Sequence, residues 1–204
     1  MKWLTDEDRA KVEAAIAEVE KRSDAELVTV LARQADDYRY IPLMCAALLS
    51  LLVPLVLVFV PLWTSPLRIL LAQWTVLVVL GLVLHWQPLK MALVPRRIKR
   101  WRAGNLARRL FLEHNLHHTR GATGVLVFVS DAEHYVEIIA DRGISEQVPD
   151  AQWQSIVDAF VVRVKRDEVL DGFLECVASC GEHLIRHVPA TDQKNELPNR
   201  MVVL

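Results

Sequence analysis

The chain has 204 residues, 52% of them apolar, a formal net charge of −1 and three cysteines. Three scattered cysteines exclude a disulfide framework, and the near-zero total charge by itself points to no partner class. Setting aside about 48 residues for a central apolar stretch leaves roughly 155, enough for one compact domain.

The N-terminus is charged and amphipathic and lacks a signal peptide's apolar core and cleavage site. Thr5-Asp6-Glu7-Asp8 opens a helix, with Thr5 as N-cap and Asp8 at the capping-box position. Val12, Ile16 and Val19 recur at helical spacing up to about Arg22, and Ser23-Asp24 makes a turn. Glu26 to Leu31 reads as a strand rich in β-branched residues.

Two apolar stretches follow. From Ile41 to Leu67 the only ionisable residue is Cys45, and from Ile69 to Leu89 it is His85. A helix needs about 20 apolar residues to cross a bilayer core of about 30 Å. The sequence therefore predicts two transmembrane helices, near 41–63 and 67–88, the first acting as an uncleaved insertion signal. Pro61, Ser65 and Pro66 break the helix between them, and Pro54 is placed to kink the first. Tyr40, Trp63 and Trp86 suit interfacial positions, and His85 beside Trp86 reads as interfacial too. Arg33 and Arg39 precede the first span, Lys90, Arg96, Arg97, Lys99, Arg100 and Arg102 follow the second, and only Arg68 lies between. Positive charge stays inside, so both termini are expected in the cytoplasm.

From Lys90 to Arg109 there are eight basic residues and no acidic one. No base-reading motif accompanies the run, and it starts beside a membrane span. Attraction to anionic headgroups, about 1 kcal/mol per basic residue near the surface, is the simpler reading, and nucleic acid is not expected. The same region predicts a long helix over about 95–117, with Ile98, Trp101, Leu106, Leu110 and Leu112 as apolar contacts. Val125 to Val129 is a continuous apolar strand, as in a sheet covered on both faces. Asp131-Ala132-Glu133 turns into a strand over Tyr135 to Ala140, and Gly143 is expected at positive φ. Helices follow from Pro149-Asp150 and over about 168–187. In the second, Cys176 and Cys180 read as small apolar residues on one face. The element order is α-β-(hairpin)-α-β-β-α-α, with helices on both faces of a small mixed sheet.

Ser23-Asp24-Ala25-Glu26-Leu27-Val28-Thr29-Val30, then Gly124-Val125-Leu126-Val127-Phe128-Val129-Ser130, then Val136 to Ile144 and Trp153 resemble the TPM domain family over about 5–40 and 95–188. The chain looks most like a bacterial membrane-embedded branch with a hairpin inserted after the first strand. The resemblance implies an α/β fold, a three-layer α/β/α TPM-like domain interrupted by a two-helix transmembrane hairpin. It also implies one of two activities: an accessory role at a membrane, or acid-phosphatase-like hydrolysis assisted by a divalent cation such as calcium or magnesium. A LemA-family membrane protein becomes a candidate partner. Soluble members carry a Gly-Tyr-Gly-like turn where this chain has Asp141-Arg142-Gly143.

Acids at strand ends can converge on a hard cation, and equally can cap helices and turns. Asp37, Asp131 and Asp141 are the candidates. Asp131 and Asp141 are expected at opposite ends of one hairpin, so Asp37 with Asp141 is the better pairing. His114 and His118, at i, i+4, could share a helix face toward zinc, although a solvated helix end explains them as well. There is no phosphate-binding glycine loop and no nucleophile elbow. The sequence thus predicts a discontinuous TPM-like domain over 1–40 and 90–188, a membrane hairpin over 41–89, and a flexible tail over 189–204. The expected setting is the bacterial inner membrane. The expected role is an accessory or scaffold protein whose partners are the lipid bilayer, a second copy in a homo-oligomer, or another membrane protein. The alternative is a metal-dependent phosphatase.

Overall fold

A computed structural model describes residues 4–59, 65–191 and 201–204. By contacts the chain divides into two compact units, residues 1–35 with 100–204, and residues 36–99.

In the first unit, α1 (Asp6–Glu20) begins with the expected capping box. The Asp8 amide donates to Thr5 Oγ1 at 3.2 Å and the Thr5 amide donates to Asp8 Oδ2 at 3.0 Å. Strand β1 (Glu26–Ala32) pairs parallel with β2 (Gly124–Ser130), which pairs antiparallel with β3 (Tyr135–Ala140). Every residue of β1 and β2 is buried, because helices cover both faces. On one face Leu27, Leu31, Val125, Val127 and Val129 pack with α1, α8 (Asp150–Lys165) and α9 (Val169–His187). On the other, Val28, Val30, Leu126 and Phe128 pack with α6 (Arg96–Glu113). The result is three layers around a mixed sheet.

Several details differ from the sequence reading. The packing face of α6 is made of small residues, Ala103, Gly104 and Ala107, with Leu110 and Phe111, whereas Trp101 and Leu112 are exposed. Small side chains let the helix lie close on the sheet, and this is invisible to a search for large apolar residues. Gly143 does not take positive φ, since it lies in a short helix, α7 (Arg142–Ser145). A Cβ there would stand 2.0 Å from the Gly121 carbonyl oxygen, so glycine is needed for close approach. The expected flexible tail is held where it is described. Pro189 bridges to Ser23, the Thr191 amide donates to Asp24 Oδ1 at 3.0 Å, and Met201–Val203 forms β4, parallel to β1. Three residues are too few for a strand signal, and β4 forms because the edge of β1 offers it partners. The sheet order is β3-β2-β1-β4.

The second unit holds α2 (Tyr40–Ser50), α3 (Leu52–Leu57), α4 (Pro66–Leu84) and α5 (Gln87–Leu93). Two stretches are long and apolar enough to span a membrane, Tyr40–Leu57 with 18 residues and Pro66–Leu84 with 19. The break between α2 and α3 follows from Pro54, which has no N–H to give Ser50 and whose ring crowds that carbonyl. Likewise Pro88 has no N–H for Leu84. The second span therefore ends at Leu84, and His85 and Trp86 form the connection to α5. Pro61 and Trp63, and the end of the first expected span, lie outside the described residues. Tyr38, Ile41 and Val94 make a small core of this unit, and Tyr38 takes the left-handed φ of 51°.

Candidate functional site

The open ends of the sheet carry the acids. At the Ser130 end, where the parallel strands β1 and β2 finish, the Asp131 amide donates to the Ala32 carbonyl at 3.0 Å and the Ala132 amide to Arg33 at 3.0 Å. Glu133 is buried and joins two loops. Its carboxylate accepts a short hydrogen bond from Ser130 Oγ and another from the Ala35 amide at 3.1 Å. The sequence reading took Glu133 only as a turn residue, and its signal was faint: one acid among turn residues, with its partner 98 positions away. Beside this staple lies a cleft of about 380 Å³, walled by Val136, Phe160, Val161 and Val164 and edged by Asp131, His134 and Lys165. Ligands of open α/β sheets gather at such carboxyl ends of strands. The cleft's apolar walls and mixed-charge rim suit an apolar group with a polar end.

At the opposite end Asp141 caps α7, its Oδ1 accepting from the Arg142 amide at 2.7 Å while its own amide donates to Gly124 at 2.8 Å. Its Oδ2 is buried and has no hydrogen-bond partner among the described residues. The length of β3, six residues or about 20 Å, separates Asp141 from the Asp131 turn, so these two do not converge. Asp37 belongs to the other unit and pairs with Arg39 at 3.1 Å. Among the described residues no group of three His, Cys, Asp or Glu side chains is placed to hold a metal ion. His114 and His118 do not share a helix face. Helix α6 ends at Glu113, and Asn115 turns the chain with a φ of 57°, leaving the rings of His117 and His118 side by side, 4.2 Å apart between centroids.

Of the basic residues read as facing a membrane surface, Arg96, Arg97 and Arg100 are exposed and Lys99 and Arg102 half-buried. Lys90 is the exception, at 6% exposure. After Pro88 the chain starts a separate helix that packs on α2 and α4, which turns Lys90 inward. Trp101 is 59% exposed, with the Arg102 guanidinium 4.9 Å from its ring centroid. On β3 the Tyr135 hydroxyl donates to Glu137 Oε2 at 3.0 Å, and burial together with that carboxylate pushes the phenol up to about 12. On α9 both Cys176 and Cys180 are buried, as small apolar residues would be. The hydrogen bond that the Cys180 thiol donates toward Cys176, together with burial, raises that thiol well above its ordinary value.

A family model for the TPM domain matches residues 91–183. The fold is similar to the NMR structure of the BA42 protein from the psychrophilic bacterium Bizionia argentinensis, with a TM-score of 0.61 and 18% identity, covering 99% of this chain and 96% of that one. At that identity the likeness is one of fold. No curated protein matches the chain.

Proposed function

Since residues 91–183 match the TPM domain model, we propose that this chain is a membrane-anchored accessory protein whose α/β domain serves as an interaction platform at the cytoplasmic surface of a bacterial inner membrane. The observation that carries this reading is α4. Over its 19 residues none is buried, although it is apolar on every side. Along α2 and α3 Leu43, Leu48, Leu51 and Leu55 are likewise exposed. Such surfaces in water are aggregation sites, and in lipid they are at home, since a helix satisfies its backbone internally. At 1.5 Å per residue the two stretches are about 27 Å and 29 Å long, close to a hydrocarbon core. The exposed Arg96, Arg97 and Arg100, with Trp101 beside them, suit the headgroup layer, and the scarcity of basic residues between the spans supports a cytoplasmic domain. A second membrane protein, for instance of the LemA family, is the partner class a domain held there would meet.

Fractionation and topology test this together. The intact chain should remain in the membrane pellet after an alkaline wash. Protease added to right-side-out bacterial spheroplasts should leave both termini uncut, and lysis should expose them. Release into the wash, or cleavage of one terminus from outside, overturns the proposal.

One observation favours the hydrolase alternative: among the described residues the buried Oδ2 of Asp141 has no hydrogen-bond partner, and a divalent cation would supply one. Purified chain should then hydrolyse a chromogenic phosphate ester with magnesium or calcium and lose at least about tenfold in rate on Asp141→Asn. Equal rates with and without the substitution sink this alternative.

A further inference from the structure

Strand β3 is an edge of the sheet, and among the described residues no strand pairs with its outer side. The Asp141 amide bonds Gly124, so in this antiparallel ladder residues 139, 137 and 135 also face β2. The N–H and C=O groups of Val136, Ile138 and Ala140 therefore point outward, and among the described residues no backbone hydrogen bond joins them to another segment. Three outward residues, Val136, Ile138 and Ala140, all apolar, form a template for another strand, and β3 carries neither a proline nor a lysine to blunt it.

From this we propose that β3 is the seam of a homodimer in which two copies pair antiparallel about a two-fold axis at Ile138, a contact beyond the membrane role above. Two independent patterns select that register. With Ile138 opposite Ile138, Val136 falls opposite Ala140 of the second copy. All the outward groups then meet, for about six hydrogen bonds, and each side chain stays on its own face of the continuous sheet. A register centred on Glu137 would set two carboxylates directly opposite each other. The second pattern is charge. Helix α8 runs antiparallel to β3, with Asp150 in the cleft that reaches Ala140 and Lys165 in the cleft that ends at Val136. Both are exposed, and neither makes an ion pair among the described residues. The two-fold axis carries Asp150 of each copy toward Lys165 of the other, with Asp131 and His134 at the same end as Lys165. One element thus supplies both halves of a complementary pair, as an isologous interface requires.

The test uses the full chain in detergent micelles, with mass measured by sedimentation and native mass spectrometry. The wild type should be a dimer. Asp150→Lys and Lys165→Glu should each raise the dimer dissociation constant about tenfold or more, since each sets like charges together twice. An equimolar mixture of the two variants should form a heterodimer, and the chain carrying both substitutions should dimerise again. Ile138→Pro, which removes an outward N–H and leaves the β2 ladder intact, should abolish the dimer with an unchanged circular dichroism spectrum. A wild-type monomer at every concentration overturns the proposal. So does a dimer indifferent to the charge reversals, which would put the contact elsewhere in the chain.

Discussion

His183 shows how one side chain can couple stability to pH. It lies on α9 with its ring 6.0 Å from Trp153, between centroids, and burial lowers its proton affinity, with smaller contributions from Arg186 and His187 against an opposing one from Glu182. The folded state therefore binds the His183 proton less readily than the unfolded chain. Near the unfolded value of about 6.5 the unfolded chain carries more protons, so the stabilisation from this group is fully present above that pH and is lost as pH falls through and below it. Thermal or urea unfolding between pH 7.5 and 5.5 should show decreasing stability, with a shallower slope in His183→Gln. An identical slope in the variant would refute this assignment.

At the scale of elements, the junctions are decided by close approach. Helix α7 lies against the turn before β2, where Gly121 has a φ of 81° and its carbonyl sits where a Cβ of residue 143 would be. Backbone cannot yield as a flexible side chain can, so Gly143→Ala should lower stability by about 3 kcal/mol. Gly81→Ala in α4, where nothing lies within 4 Å, should cost nothing and raise stability by up to about 1 kcal/mol through helix propensity, and urea melts of the two variants make the comparison. The prolines act at the same scale. Pro54 and Pro88 set where α2 and α4 end because each removes one helix hydrogen bond. The kink at Pro54 could be read from residue types, whereas the second span was expected to run to 88 and stops at Leu84. The packing face of α6 could not be read either, because alanine and glycine leave no amphipathic signal of the usual kind.

For the whole molecule, the central contrast is between a unit that encloses its apolar residues and one that displays them. In the first, Val12, Ile16, Leu27, Phe173 and Leu184 are fully buried. In the second, Phe59 is 80% and Leu82 73% exposed. The amino-acid pattern alone determined the two apolar helices, the capped first helix, the strand after it, the buried strand β2 and the β2–β3 hairpin. Each of these rests on hydrogen bonds and periodicities within a short stretch of chain. Only the tertiary structure decided that Met201–Val203 closes the β1 edge, that Glu133 is a buried staple to Ala35, that Lys90 turns inward, and that among the described residues no strand pairs with the outer side of β3. Those outcomes depend on which distant segments meet, and the free energy of such a meeting is carried by neither segment alone.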